Sequence, residues 1–362
     1  MASTSYPRDE QDWRGVFIRA MTDALARRDD VEMRVWCPPG PLPANVGQAA
    51  TSEDTAWLDA LSKVGGIAMA IRRRNLAGLL AGVHLLHRLR KLYQRESDVD
   101  LVHANWLQTA LPLPRNGKPL LATVLGTDYK LLGIPGLVSA LRHQFTGRAV
   151  ALCPNADWMV PGLQKHFGDL AIVRCVPFGI NKAYFDLERK PVRPAHWICV
   201  SRITRPKIGD LFNWCETSFR SQCRELHLFG PMQEPIQIPE WVHYHGPVSQ
   251  TDLLDQLLPK ATGLISLSRH PEGRPQIMLE AMAASVPIVA SDLEAHIDLV
   301  ETTRAGVICR RAEDLADALE QMESDQGRAA GNRGRSSAMN LYGTWDDCAA
   351  RYAELYGELT GR

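Results

Sequence analysis

Short apolar runs recur along the chain, and most of them end in small polar residues, Gly or Pro. Residues 31–37 alternate apolar and polar and predict a half-buried strand. Residues 100–104, 120–125, 149–153 and 173–177 predict further strands. Between them, residues 16–27 place Phe17, Ala20, Met21, Ala24 and Leu25 on one helical face, and residues 155–167 predict a second helix. Residues 44–62 read as an excursion. The strand and helix pattern restarts at Trp197. Strands are predicted at 197–201, 226–231, 242–247, 261–268, 286–291 and 306–308, and helices at 250–258, 277–284 and 313–322. Cys348, Ala349, Tyr352, Leu355 and Tyr356 share a helical face, so residues 345–359 predict a last helix that packs back on the first domain. Buried strands alternating with helices predict an α/β fold with parallel sheets. Residues 186–194 are charged and hold two prolines, which places a linker there. The expected domains are 1–184, joined by 345–362, and 190–344.

With 362 residues the chain is long enough for two ordinary domains. Its 45% hydrophobic and 23% charged content is that of a globular protein. Formal net charge is zero, but cations exceed acids in the first half and acids exceed cations in the second. That asymmetry argues for two bodies with different partners, and the zero total argues against general nucleic-acid binding. The eight cysteines are scattered without a C-x-x-C pair, so no cysteine zinc site or disulfide framework is indicated. No secretory signal or bilayer-length apolar run is present, and a cytoplasmic location is expected.

Residues 63–95 stand out. They carry Lys63, Arg72, Arg73, Arg74, Arg88, Arg90, Lys91 and Arg95 and no acid. Ile67, Ala70, Ile71, Leu76, Leu79, Leu80, Val83, Leu86 and Leu89 fall at helical spacing. A basic amphipathic helix of this kind lies on an anionic membrane surface, here the inner face of the cytoplasmic membrane. The alternative is an ordinary core-facing helix with a solvated basic face.

The densest chemistry lies in residues 268–283, which read as a loop turning into a helix between two buried strands. Pro275 suits a first helical turn, where its missing N–H is no loss. Glu272 sits in the loop and Glu280 about a turn and a half into the helix. Backbone N–H groups from Gly273 to Gln276 lie between them, at the positive end of the helix dipole, which favours a phosphate. Carboxylates are poor phosphate ligands and good acceptors for sugar hydroxyls, so the pair suggests a nucleotide-sugar. A capping Glu and a solvated Glu are the plain alternative. Residues 202–209 read as a loop with three cations, Arg202, Arg205 and Lys207, and Asp128 follows a strand at the end where open α/β sheets place ligands. Each cation could equally be solvated, and Asp128 could equally cap a helix. His103, His243 and His245 read as packed at strand ends, and Trp13 and Trp106 as either acceptor lining or core.

Residues 196–300, and more weakly the chain from about residue 98, resemble glycosyltransferase family four, the retaining transferases of the GT-B fold. The most specific element is the Glu-x7-Glu pair formed by Glu272 and Glu280. Arg202 and Lys207 after the first strand of the second domain, Phe229-Gly230-Pro231, Tyr244-His245-Gly246-Pro247-Val248 and Leu125-Gly126-Thr127-Asp128 follow in the family's order. The resemblance implies two Rossmann-like domains facing across a cleft, with the donor mainly on the second. It implies that Arg202 and Lys207, with Arg205 as a third contact, hold the diphosphate. Gly273, Arg274, Pro275 and Gln276 would offer backbone groups, Glu272 would take the sugar hydroxyls and Glu280 the ribose. The base would lie near Pro247 and Val248, beside Gly230, and Gly15 and Asp128 would close the acceptor side.

The implied activity moves a sugar, typically a hexose, from a nucleotide-sugar to a glycan or lipid-linked acceptor in cell-surface polysaccharide synthesis. No cofactor and no metal are expected, because the protein supplies the cations. The alternative is a non-catalytic nucleotide-sugar-binding or assembly subunit; an epimerase would need catalytic acids that have no evident place. Four departures qualify the resemblance. A strand is expected ahead of the Trp13–Gly15 loop, where only residues 1–5 stand, so either the natural chain begins upstream of Met1 or the fold tolerates a stub. Leu125 stands where many members have a sugar-contacting His. Ser285 replaces a Gly after the helix, which costs about 1 kcal/mol if its φ is positive. Lys207 and Gly209 are one residue further apart than usual.

Overall fold

Every strand among the described residues pairs in parallel, as the buried apolar runs predict. The computed structural model describes residues 1–63, 65–67, 76–220 and 223–362. They divide into two units, Met1–Pro177 with Trp345–Arg362, and Phe178–Thr344.

In the first unit β1 (Met33–Val35) pairs with β2 (Val46–Gln48). A second sheet runs β3 (Val102–Asn105), β4 (Leu120–Val124), β5 (Val150–Pro154) and β6 (Ile172–Val173). Ala2 joins the two sheets by bridging Trp36 on one side and Ala104 on the other. The Met1 ammonium donates to Arg34 O at 2.6 Å, and burial lowers its pKa to about 6. A groove of about 1100 Å³ lies beside this short segment, lined in part by Met33, Arg34, Val102 and Tyr356. The helix Trp345–Thr360 packs here, as its apolar face predicts, burying Cys348, Ala349, Tyr352, Leu355 and Leu359. Its docking is also polar. His103 sits between Tyr356 Oη and Thr123 Oγ1, both at 2.7 Å, and Thr123 reaches Tyr352 Oη at 3.1 Å.

The second unit holds one six-stranded sheet of β7 (Ala195–Val200), β8 (Arg224–Phe229), β9 (Val242–Gly246), β10 (Gly263–Ser266), β11 (Ile288–Ser291) and β12 (Gly306–Cys309). Their spatial order is β12-β11-β10-β7-β8-β9. The chain therefore winds outward from β7 in one direction, then returns and winds outward from β10 in the other. β7 and β10 flank the switch point, where an open α/β sheet leaves a crevice at its carboxyl edge. Gly263 lets the two strands meet, because a Cβ there would fall 2.5 Å from the Trp197 ring.

Several expectations are corrected. The unit boundary falls at Pro177, not within 186–194. The helix Lys182–Phe185 buries Tyr184 and Phe185 in the second core, and Arg189 donates to the carbonyls of Ser285, Ala261 and Thr262. Residues 44–62 are no excursion: they form β2 and the helix Ser52–Lys63. Residues 202–209 contain a short helix, Arg205–Ile208, capped by Thr204. Pro275 stands one residue ahead of the helix Gln276–Ala283, in extended backbone. In the helix Leu76–Arg95 the buried face is Leu85, Leu89, Leu92 and Tyr93, whereas of the predicted apolar face only Leu89 is buried, Leu86 is half-buried and Leu76, Leu79, Leu80 and Val83 are exposed. Arg72, Arg73, Arg74, Ala70 and Ile71 lie outside the described residues. Among the described residues no helix is long and apolar enough to cross a membrane.

The helix Gln276–Ala283 ends in a Schellman turn. Val286 N–H reaches Ala281 O at 2.8 Å and Ser285 N–H reaches Met282 O at 2.9 Å, with Ser285 at φ 58°. A side chain in that conformation is strained by roughly 1 kcal/mol relative to glycine. Ser285→Gly is therefore expected to stabilise the chain by about 1 kcal/mol in chemical denaturation. An unchanged or lower midpoint would contradict this account of the turn.

Candidate active site

The loops that follow β7 and β10, the strands at the switch point, carry Arg202, Lys207 and Glu272, and of these the structure brings Lys207 and Glu272 into contact. After β7, Ser201 N–H bonds Phe229 O at 2.9 Å and Ile203 N–H bonds Pro231 O at 2.9 Å, which fixes Arg202 in the loop between them. Gly230 has φ 137°, and a Cβ there would lie 1.7 Å from Ser201 O, so only glycine permits this approach. Tyr244 Oη donates to Gly230 O at 2.9 Å from β9.

The short helix Arg205–Ile208 is sewn to the loop after β10. Arg269 N–H bonds Pro206 O at 2.7 Å, Asp210 N–H bonds Leu267 O at 3.2 Å, and a Cβ on Gly209 would strike Leu267 O. The shifted Lys-Gly spacing thus still delivers a glycine where the backbones touch. This stitching brings Lys207 Nζ onto Glu272 Oε2, and both side chains are more than four-fifths buried. Behind Glu272 lies His296, fully buried, with Nε2 at 3.7 Å from Glu272 Oε1 and Nδ1 at 3.2 Å from Ser291 Oγ. Burial alone would raise the Glu272 pKa, but the Lys207 ammonium and the His296 imidazole outweigh it and hold the carboxyl well below the usual carboxylate range. Glu272 is thus an ionised acceptor locked beside a cation.

The helix Gln276–Ala283 then carries Glu280 into the interior. Among the described residues Glu280 has no ion pair and no side-chain hydrogen bond, and burial raises its pKa to about 8. The first-turn N–H groups of Gln276 and Ile277 have no backbone partner among the described residues. Gln276 Nε2 is spent on Gly179 O at 2.9 Å. The Arg274 guanidinium turns inward, to Asp298 Oδ2 at 2.9 Å and over the Tyr342 ring at 4.6 Å, which leaves its backbone as the part that can meet a ligand. Gly273 and Pro275 are buried. Arg205 is exposed, and its N–H bonds Glu234. Val248 packs half-buried on the core around Met278 and Met282.

Two predicted site residues belong to the first unit. Gly15 has φ 66° and packs on the Ser5–Tyr6 backbone at the start of the helix Val16–Ala26. Asp128 is buried and accepts the N–H groups of Leu107 and Leu125 at 3.0 and 2.8 Å, so it ties together the ends of β3 and β4. Burial raises its pKa to about 6, against the pull of those hydrogen bonds.

Sequence reasoning missed His296, because the helix Glu294–Thr303 that carries it was not anticipated. The expectation of no metal also took the chain to hold no Asp-x-Asp pair, and Asp98-Val99-Asp100 is one. Those two acids are exposed and paired to Arg34 and Arg362.

Glu280 gives a pH test. Its folded pKa lies above the ordinary carboxylate value, so the unfolded chain ionises first as pH rises. Stability is full below about pH 4.5 and falls as pH climbs toward about 8. In melting curves Glu280→Gln should remove this decline and leave the variant the more stable protein above about pH 6. Parallel pH profiles for the two proteins would contradict it.

The comparisons with known proteins come to the same place. Residues 197–325 match the family Glyco_trans_1_4, described as "Glycosyl transferases group 1". No curated protein matches the chain. Sucrose-phosphate synthase from Thermosynechococcus elongatus superposes with a TM-score of 0.67 at 16% identity, covering 96% of this chain and 93% of that one. HepE from Anabaena, solved with UDP-glucose, gives 0.65 at 14% identity, covering 99% and 98%. AviGT4, a glycosyltransferase of avilamycin A biosynthesis, gives 0.54 at 16% identity, covering 99% and 91%. Identities this low show a shared fold. Residues 197–325, which span the switch point and the Lys207–Glu272 pair, thus match a group 1 glycosyltransferase domain, in a chain with the GT-B fold.

Proposed function

We propose that the chain is a retaining, metal-independent glycosyltransferase that takes a nucleotide-sugar donor and a glycan or lipid-linked hydroxyl acceptor. The observation that carries this reading is the buried Lys207–Glu272 pair ahead of the helix Gln276–Ala283, at the switch point. A departing nucleoside diphosphate gathers negative charge on its oxygens. Cations and helix N–H groups fixed in advance stabilise that charge most where it grows. Arg202 offers a planar fork and Lys207 a point charge, so no divalent ion is needed at the phosphates. Glu272, held ionised, accepts from the donor sugar's hydroxyls, and Glu280 accepts from the ribose.

Acceptors in cell-surface polysaccharide synthesis are presented at the cytoplasmic membrane face, and the proposed contact is the turn Leu76, Leu79, Leu80 and Val83. These side chains are 58–71% exposed. Charge contributes less than the bare sequence implies, because Lys63 is paired with Asp59 and Arg88 with Asp54. Attachment therefore rests mainly on apolar burial.

Transfer is tested by incubating the chain with a panel of nucleotide-sugars and glycan or lipid-linked acceptors. Glu272→Gln and Arg202→Ala should each lower kcat/KM by about 10²–10³-fold, with melting curves showing a folded protein. Wild-type chain that turns over no donor would remove the catalytic reading. Donor binding without turnover would leave the non-catalytic subunit in its place.

Membrane attachment has a separate readout. Sedimentation with vesicles of anionic lipid should pull down the wild type. Leu79→Asp and Leu80→Asp should each weaken partitioning about tenfold, from a loss of roughly 1.5 kcal/mol of apolar burial. Equal partitioning of both variants and wild type would exclude this turn as the contact.

A further inference from the structure

One face of the sheet in the second unit carries a row of imidazoles near its edge. Side chains two apart on a strand share a face. Glu225 and His227 are such a pair on β8, and His243 and His245 on β9. The parallel register sets His196 of β7 beside Glu225, and His227 beside His243. Glu225 Oε2 stands 2.9 Å from His196 Nε2 and 3.1 Å from His227 Nε2. One donor atom from each of the three residues lies within 4.8 Å of the other two. The rings of His196 and His227 are 4.3 Å apart.

We propose that His196, Glu225 and His227 form a binding site for a divalent transition metal of the zinc type. Zinc bonds to nitrogen and oxygen of about 2.0–2.2 Å in a tetrahedron put neighbouring ligand atoms about 3.3–3.6 Å apart. The two separations to Glu225 need to open by only a few tenths of an ångström, on side chains that are partly exposed and able to move. The donor set, two imidazoles and a carboxylate, suits zinc, cobalt or nickel and discriminates against magnesium and calcium, which require oxygen ligands. An outer partner is in place. His227 Nδ1 lies 3.0 Å from His245 Nε2, and that hydrogen bond presents Nε2 of His227 as the ligating nitrogen. His243 only stacks on His227, at 4.9 Å between ring centres. Three protein ligands leave a fourth position to water, and the solvent side of the row gives entry.

His196 and Glu225 stand at the starts of β7 and β8, whereas the donor residues follow strand ends. The ion would therefore clamp two strands and take no part in leaving-group chemistry. This site does not depend on the proposed transfer activity.

The test uses the full chain, stripped of metal and kept reduced, titrated with Co²⁺ and then with Zn²⁺. One equivalent of Co²⁺ should produce visible ligand-field bands that Zn²⁺ displaces and Mg²⁺ does not. Zn²⁺ should also raise the melting temperature of the wild type. Glu225→Gln, His196→Asn and His227→Asn should each abolish the bands while leaving the metal-free melting temperature near that of the wild type. His245→Ala should weaken binding by about 10–100-fold, and His243→Asn should leave it unchanged. Cys223→Ser is the control for the exposed thiol two residues before Glu225, and it should change nothing. Absence of a one-equivalent site overturns the proposal. So does a site that survives Glu225→Gln and His196→Asn, or one that disappears with Cys223.

Discussion

The contact between Lys207 and Glu272 is the constraint around which the second unit's carboxyl edge is arranged. A charge pair with so little solvent holds together only if the backbone around it is fixed, because the desolvation of both ions must be offset by geometry. That geometry comes from the stitching of two loops that are far apart in sequence. Gly209 allows the Arg205–Ile208 helix to touch the loop after β10, and Arg269, bridging Asp210 at 2.6 Å and Asp292 at 2.9 Å, staples it from outside. Removing one partner would strand the other charge, an effect of about 3–5 kcal/mol in buried pairs. On the proposed reading function and stability share these residues, and a carboxamide at position 272 is a better probe of chemistry than a truncation.

The two acids that share one sequence motif occupy opposite electrostatic situations. Glu272 is held ionised by its neighbours, while burial favours the proton on Glu280. A fixed anion can only accept hydrogen bonds, and it is matched to a ligand that brings several hydroxyls. A buried carboxyl without a partner is a standing cost that a ligand's hydrogen bonds would relieve. Both features favour a polyhydroxylated ligand over an apolar one, and neither follows from the spacing of the two residues.

Strands were the legible part of the fold. Eleven of the twelve among the described residues announce themselves as buried β-branched or alternating runs, and the exception, β2, is three residues long with a glycine at its centre. Helices were less legible where they are built for close approach. Residues Asp325–Ser337 contain three glycines, a composition that argues against a helix by propensity. The structure shows why they are there: a Cβ at Gly331 would strike Ser285 O at 2.1 Å, and Gly334 sits on Ala305 and Met282. Tertiary packing overrides propensity at these positions. His296 was hidden for a different reason: its position behind Glu272 depends on how the helix Glu294–Thr303 packs and not on any neighbour in sequence.

Period alone also separates what the sequence could and could not say about 63–95 and about the histidines. Helical spacing placed Leu76 through Leu89 on one face, but a spacing does not say how much of that face has a partner. Of that face the helix buries Leu89 and leaves Leu79 and Leu80 exposed among the described residues, while Leu85, off the predicted face, is buried. For the histidines the missing information was register. His243 and His245 share a face by alternation, yet His196 and Glu225 join them only because three parallel strands align to within one residue. A one-residue slip would turn one strand's ligands to the opposite face and dissolve the cluster. The row is thus a product of the same β7–β8–β9 pairing that positions Gly230 against Ser201, and Phe229 stacks on His245 at 4.6 Å to join the two ends of that pairing.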